Sequence, residues 1–541
     1  MRIETVEADV LCIGGGIVGL MAAIRASELG ARVVVADKSN TLRSGAAGVG
    51  NDHFQCYIPE VHGDVDTALG ASRRSKDDPR ARVLFTRSFE LVELWNSWGI
   101  PMKYKGKWEF SGHRLPDSVY GVHLKYAGLM QKPILTKQAL KRAVKIINRV
   151  MVFDLLGDSN GVTGALGVDT RDDRLVEFRA KAVILGTGIL KRLYPGPTPG
   201  WMANLNRPLT NSGDGRAMAY RLGAELANME TLGHSPGPKY FSRSGKATWV
   251  GVVRYTDGRP VGPYLTKPDH RFSDVTLETG RDTLAELERT GKGPFYMDCR
   301  GISPEDYEYM MYWLVHEGNA SVIDHMKEEG IDPRKNPVEF FEFGPDCTGM
   351  VNTNVKTETS VKGLYAAGDE IGGGISGAAV FGWIAGENSA DYIKKAKPSS
   401  ISKTSKVIGD KEKFLEGIRS REEGPGWQEV NIALQQTMRD YAGLLRTENL
   451  LVAGLAHLRR IKDKAHNTMI ARNPHELMRG LETLNLLDLA ELIFIAAMER
   501  KETRGMHIRA DYPFTNPMLD KLLVVKKKNG KPVTEWRGRG K

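Results

Sequence analysis

The sequence predicts an α/β protein: a nucleotide-binding parallel sheet at the N-terminus, an inserted α+β cap, and a C-terminal helical bundle. Three observations predict it. Residues 8–37 read as strand, glycine turn, helix, strand. Residues 235–300 are rich in Gly, Pro and aromatics with few clear periods, as at the start of an insertion. Beyond residue 405, apolar residues recur at three- and four-residue spacing. The expected boundaries are 1–230 with 345–400 for the first domain, 231–344 for the cap, 405–510 for the bundle and 511–541 for a tail.

The elements follow in order. Ala8 to Ile13 is a short apolar run that ends in Gly14-Gly15-Gly16. Leu20, Ala23, Ile24 and Leu29 keep helical spacing, and Gly30 closes the helix. Arg32 to Ala36 is a second strand, ending at Asp37. Val83 to Trp98 reads as helix, residues 150–185 as strands, and 213–229 as helix. Val361 to Ala367 reads as strand, and a helix is expected near Gly382 to Tyr392. Pro398 to Ser405 reads as a linker. Val430, Leu434, Met438, Tyr441 and Leu445 form a bundle stripe, continued by Leu450 to Ile461 and Leu477 to Met498. No internal repeat is found.

Composition bounds the function. A chain of 541 residues has room for two or three cores, and 41% hydrophobic with 26% charged residues is that of a soluble globular protein. The net charge of +10 is dispersed, which argues against nucleic acid and suits an acidic partner. The densest basic run, Lys526-Lys527-Lys528, reads as a solvated tail. Cys12, Cys56, Cys299 and Cys347 form no C-x-x-C pair, which argues against an iron–sulfur cluster, a structural zinc or any other metal in this chain. The polar start is unlike a signal peptide, and no apolar run reaches the roughly 18 residues of a membrane span. A cytoplasmic protein is expected, meeting a membrane only through partners, peripherally at the inner membrane where a complex carries it.

Gly14-x-Gly16-x-x-Gly19 is the motif with the clearest chemistry. The first glycine allows the tight turn, the second lets the backbone approach a diphosphate, and the third packs helix on strand. The helix N-terminus then faces the phosphates with unpaired N–H groups. Asp37, with Lys38 beside it, ends the second strand, where a carboxylate can accept both ribose hydroxyls. This is a Rossmann-like dinucleotide site. Arg43-Ser44-Gly45-Ala46 comes after the acid, Thr187-Gly188 follows a strand, and Ser212-Gly213-Asp214-Gly215 opens a helix. Gly363 to Glu370 is a strand ending in Gly368-Asp369, followed by a glycine run and Ser376. Thr503-Arg504-Gly505-Met506-His507-Ile508-Arg509 stands near the end.

This series resembles the flavoprotein subunits of succinate dehydrogenase, fumarate reductase and adenylylsulfate reductase, over about residues 8–513. The resemblance implies an FAD-binding domain with Gly14, Gly16, Gly19, Asp37, Lys38, Arg43, Ser44, Gly45, Ala46, Gly188, Asp214, Gly368, Asp369 and Ser376 at the cofactor. It implies that the helix after Gly377 aims its N-terminus at the flavin ring. Succinate dehydrogenases bond FAD covalently through a histidine; Gly45 stands there, so a dissociable, non-covalent FAD is expected. Two positions where the family holds dicarboxylates with cations lack them: Asp346-Cys347-Thr348 has no histidine, and Ser376-Gly377-Ala378-Ala379-Val380 no arginine. Gly293 to Asp298, Arg43-Ser44-Gly45-Ala46 and Ser376-Gly377-Ala378 look closest to the larger, flavin-carrying chain of adenylylsulfate reductase, its α-subunit.

A flavin reaction needs a proton donor and cations for an anionic substrate. His234 and Arg254 are the expected catalytic groups, the latter where the family places its proton-delivering arginine, with Arg281 and Arg300 behind them. Satisfied histidine or surface ion-pair arginine is the competing account for each. Gln55 and His53 could reach the flavin face. His507 and Arg509 read as structural or subunit-contact residues. The sequence therefore predicts a catalytic flavoprotein subunit that exchanges electrons between a small anionic substrate and an iron–sulfur, ferredoxin-like partner. Three alternatives stay open: an electron-transfer flavoprotein without a small substrate, a fumarate reductase or succinate dehydrogenase proper, and a self-sufficient oxidase. A closed polar pocket over the flavin favours the first reading; an open flavin edge favours electron transfer alone.

Overall fold

The computed structural model describes residues 1–51, 53–72, 78–113, 121–196, 205, 207–239, 248–261, 273–274, 287, 290–396 and 404–538. Strand β1 (Arg2–Ile13) lies at the centre of a seven-stranded sheet. It pairs in parallel with β2 (Val33–Asp37) on one side and with the strand Arg174–Leu185 on the other. Its first half alternates between exposed and buried residues, while Val10–Ile13 is buried throughout, as expected where helices cover both faces. Arg174–Leu185 serves two neighbours. Its first half runs antiparallel to Gly161–Asp169, and its last three residues pair in parallel with Leu364–Ala366. The predicted strand-turn-helix-strand unit and the strands of residues 150–185 are present as read.

Helix α1 (Ile17–Glu28) packs against the long helix Gly374–Ile393. Glycines set that distance. A Cβ on Gly382 would stand 2.9 Å from the Val18 carbonyl oxygen, and one on Gly386 2.5 Å from that of Ala22. The long helix begins at Gly374, eight residues before the predicted start. A glycine run scores as loop on propensity, but here Gly372 and Gly374 take positive φ (80° and 59°) to turn the chain straight into the helix.

The cap is a five-stranded sheet in the order Leu232–Pro238, Val338–Cys347, Phe295–Asp298, Val250–Arg254, Ser273–Asp274. Helices Pro304–Leu314 and Ala320–Glu328 cover it and share a separate core with Trp249, Trp313 and Phe340. The strands that enter and leave the cap pair with each other, Leu232 opposite Cys347, so the insertion hangs from a two-stranded stem.

The bundle comprises helices Thr404–Ser420, Trp427–Ala442, Glu448–Thr468 and Pro474–Glu499. Most of the predicted linker lies outside the described residues. Residues 213–229 split into the helix Asp214–Leu222 and a strand at Leu226–Ala227. The expected tail is not one. Leu522–Lys528 and Lys531–Arg537 form a hairpin, and Leu522–Lys528 also pairs with Leu226–Ala227. Lys527 and Lys528 are exposed, but Leu523, Val524 and Val525 just before them are fully buried. The lysine run is the solvent end of a strand whose apolar half closes the molecule. Arg537 adds a two-pronged ion pair to Glu225 at 2.6 and 2.7 Å. The change L523A should therefore cost about 2–5 kcal/mol, seen as a fall in Tm; a freely hanging tail would show no shift.

Candidate active site

Three chain turns meet above the carboxyl ends of β1 and β2 and line a cleft that opens to solvent. Of the sequence-predicted cofactor residues, Gly14, Gly16, Asp37, Lys38, Ser44, Gly45, Ala46, Gly188, Asp214 and Asp369 line it. Gly14 takes φ +95°, and a Cβ there would lie 2.4 Å from the Gly186 oxygen. Gly19 does not line the cleft; a Cβ on it would collide with the Gly14 oxygen at 2.0 Å, so it sets the approach of helix to turn. Gly368, at φ +64°, likewise packs on Val18 and Ala378. Ser376 is buried in the first turn of the long helix, and Arg43 is exposed with its guanidinium on the Leu129 carbonyl; neither is among the lining residues.

Sequence reasoning missed Ile375 and Ala378 of that helix, Val150–Val152, and Thr187, Thr210 and Asn211. Thr187 had a detectable signal, since it precedes the predicted Gly188. Its hydroxyl accepts from the Gly215 N–H at 2.8 Å and donates to Glu370, which Arg216 bridges at 3.1 Å. This ties the helix Asp214–Leu222 to the turn before the long helix.

Asp37 Oδ2 accepts from the Gly15 N–H at 2.8 Å and from the Ser44 hydroxyl at 2.9 Å, and Oδ1 from the Ser39 N–H at 2.7 Å. The acid therefore holds the glycine turn and the following loop in one arrangement. Lys38 reaches the other way. Its ammonium donates to Asp214 at 2.6 Å, to Glu482 of the bundle at 2.7 Å and to the Ser212 hydroxyl at 3.1 Å. Burial works against the Lys38 charge, but the two carboxylates outweigh it and hold its pKa above the usual value. Burial also opposes ionisation of Glu482, yet Lys38, Arg192 and Arg479 together bring it down to about 2.

The loop Ser44–Ala47 leaves the cleft and runs directly under the cap. A Cβ on Gly50 would meet the His316 oxygen at 2.4 Å, and one on Gly318 the Val49 oxygen at 2.7 Å. Next to this contact, β3 (His53–Gln55) pairs with His123–Lys125. Strand alternation puts Phe54 and Leu124 into the core and His53, Gln55, His123 and Lys125 on the opposite face. Gln55 Nε2 and His123 Nε2 are 2.6 Å apart. Lys125 is fully buried, with its ammonium bonded to the Thr248 hydroxyl and lying 4.7 Å from the centre of the Trp313 ring. Glu317 accepts from the Thr248 N–H at 2.8 Å.

The predicted catalytic groups fare differently. Arg254 pairs with Asp298 at 2.8 Å and bonds the Gly258 carbonyl; it is not among the cleft-lining residues. Arg300 grips the same Asp298. Both take the ion-pair role that competed with catalysis in the sequence. His234 lies in the stem strand Leu232–Pro238, but its side chain and the whole of Arg281 lie outside the described residues. Among the described residues no cluster could hold a metal ion.

The C-terminal signature is structural. Arg500 bonds Glu230 at 2.6 Å and Glu502 at 2.8 Å, and Arg446 bonds the Glu230 carbonyl at 2.7 Å. His507 Nδ1 faces Arg446 at 2.8 Å, and its Nε2 faces the Arg500 carbonyl at 2.9 Å. Burial and then the Arg446 charge push its pKa down to about 3. The ring is therefore neutral, with Nδ1 accepting and Nε2 donating.

A model described as FAD binding domain matches residues 9–382, and one described as Fumarate reductase flavoprotein C-term matches residues 431–537. The chain belongs to this family of FAD-dependent oxidoreductases, that of the fumarate reductase, succinate dehydrogenase and adenylylsulfate reductase flavoproteins. It is 26% identical to one subunit of the fumarate reductase (CoM/CoB) of Methanothermobacter marburgensis, over 98% of each chain. It is 24% identical to L-aspartate oxidase of Vibrio cholerae, over 94% of this chain and 96% of that one. Among solved structures it resembles adenylylsulfate reductase from Archaeoglobus fulgidus (TM-score 0.83, 22% identity, 100% of this chain and 97% of that one). It also resembles an E. coli quinol fumarate reductase chain (TM-score 0.80, 20% identity, 99% and 97%). The predicted fold class and the FAD cofactor are both upheld. No helix among the described residues is long and apolar enough to cross a membrane.

The residues present fit FAD. The cleft is glycine-floored where a diphosphate must approach, two helix N-termini open onto it, and an acid ends the second strand. When bound, the flavin supplies two-electron redox chemistry; this chain supplies the cradle, the buried charges and the cap. Replacing Glu482 by Gln should cost about 3–5 kcal/mol, because Lys38 and Arg192 would stay buried against a neutral partner. The expected readout is a lower Tm together with looser FAD; an unchanged Tm would remove Glu482 from the account.

Proposed function

We propose that this chain is the catalytic flavoprotein of a system that passes electrons between a small anionic substrate and an iron–sulfur partner protein. The observation that carries this reading is the interlocked contact of Gly50 with His316 and of Gly318 with Val49. The cap meets the chain just beyond the cleft-lining residues Ser44–Ala47, at Val49 and Gly50, and Lys125 of the strand His123–Lys125 bonds Thr248 of the cap. Such a closure suits a small substrate. A buried cation in a partly apolar surround binds an anion far more strongly than it would in water. Lys125, whose ammonium is bonded to the Thr248 hydroxyl, is the proposed anion-binding residue.

An electron partner is proposed because a flavin that reacts with one substrate must exchange its electrons with a second reactant, and a ferredoxin-like protein is one that can serve. The net charge of +10 suits an acidic ferredoxin-like protein. The flavin is proposed to be held non-covalently. Gly45 lines the cleft without a nucleophile, although nothing within 4 Å would obstruct a Cβ there.

Acid precipitation of the purified protein should leave yellow FAD in the supernatant at about one per chain; colour retained in the pellet would overturn non-covalent binding. The reaction itself is tested by mixing the reduced holoprotein anaerobically with candidate anions: fumarate, and sulfite with AMP for the reverse direction on oxidised protein. A change in flavin absorbance with one of them is expected. The variant K125M should keep its FAD and lose about 100-fold or more in kcat/KM for that anion. If no small anion reacts while a ferredoxin-like protein exchanges electrons readily, the chain is an electron-transfer flavoprotein instead.

A further inference from the structure

Lys132 is the second residue of the helix Gln131–Lys141 and is 1% exposed. Its ammonium bonds the Gly15 carbonyl, at the middle of the glycine turn. Among the described residues no carboxylate lies within ion-pair distance of it. Nor is it among the residues that line the cofactor cleft. A buried, unpaired ammonium is costly, and proteins normally pair such a charge or neutralise it. Burial does push the amine down, to about 8, with Asp37 opposing the shift. Asp37 is itself occupied by three donors.

The peptide that Lys132 grips explains what the charge is for. The Gly15 carbonyl and the Gly16 N–H belong to one planar trans unit and point in opposite directions. With the carbonyl held from behind, the Gly16 N–H is directed away from Lys132. Gly16 lines the cleft at the N-terminus of α1, and its N–H donates to no group among the described residues. We infer that Lys132 is a positioning residue of the diphosphate cradle: it fixes and polarises the Gly15–Gly16 peptide from below, and the cofactor's diphosphate supplies the counter-charge that its ammonium lacks. A bound diphosphate would then meet the N–H edge of the peptide whose carbonyl edge Lys132 holds, close enough in a water-poor site for the two charges to attract. This inference rests on FAD binding and is independent of the substrate proposed above.

The experiment uses the full-length apoprotein and measures dissociation constants for FAD, ADP and adenosine. K132M replaces an unpaired buried charge with an apolar chain of similar length, so its apoprotein should melt no lower than the wild type. Its affinity for ADP and for FAD should fall about ten- to hundredfold, the usual worth of a charged hydrogen bond, while adenosine affinity stays within twofold. K132Q keeps a donor for the Gly15 carbonyl without the charge and should fall between the two; it also serves if K132M does not fold. Equal losses for ADP and adenosine would mark Lys132 as a packing residue only. ADP affinity within twofold of wild type in either variant would overturn the inference.

Discussion

The packing of α1 on the helix Gly374–Ile393 is the contact on which the rest of the molecule depends. Val18 and Ala22 meet Gly382 and Gly386 at distances that admit no Cβ on the glycine side. Two helices that close can share one direction of approach to the sheet, and their N-termini both open onto the cleft. Each terminus contributes unpaired N–H groups and a partial positive charge, so the convergence builds an anion site from backbone alone. Any side chain at Gly382 would part the helices and swing one terminus off the cleft. The apolar contact and the polar site are therefore one constraint.

Charged groups then fasten the peripheral domains to that core. Glu482 reaches from the bundle to Lys38 at the cleft, and Arg500 and Arg446 reach from the C-terminal region to Glu230, just before the cap stem. Buried ion pairs are weak contributors to net stability, but losing one partner is severe. They therefore specify where the bundle sits more than how tightly it holds. The C-terminal domain is in this sense part of the active site's frame: without Glu482, Lys38 would lack one of its two carboxylates.

The nucleotide unit was legible in the sequence because turn chemistry and periodicity agree there: Gly14, Gly16 and Gly19 each have a steric reason that only glycine meets. The cap stem, the hairpin 522–537 and the early start of the long helix were not legible. Lys526–Lys528 masks the apolar Leu523–Val525 when charge is read along the chain, because pairing with Leu226–Ala227 is a tertiary event. Glu482 and Lys132 look like surface residues of amphipathic helices, and only the fold reveals that both point inward. Arg254, placed by a family pattern, is held by Asp298, a pairing that only the fold reveals. The cleft was thus legible where motifs mark it, and the side-chain pairings around it were not.

That division follows from how this site is built. Backbone cradles need glycines at fixed spacing, which leave a mark in sequence. Side-chain charges need only a buried environment, which three separate segments can supply. Lys125 comes from the strand His123–Lys125, Thr248 and Glu317 from the cap, and Lys132 from a helix behind the sheet. The cap adds one constraint of the first kind: Gly50 and Gly318 exclude a Cβ from both sides of the closure. A cap seated through Gly50 and Gly318 has little room to shift, so it holds the Lys125–Thr248 contact in a fixed relation to the chain that follows Ser44–Ala47. On the proposed reading, the charges around Lys125 set substrate specificity and can change without disturbing the glycine cradle.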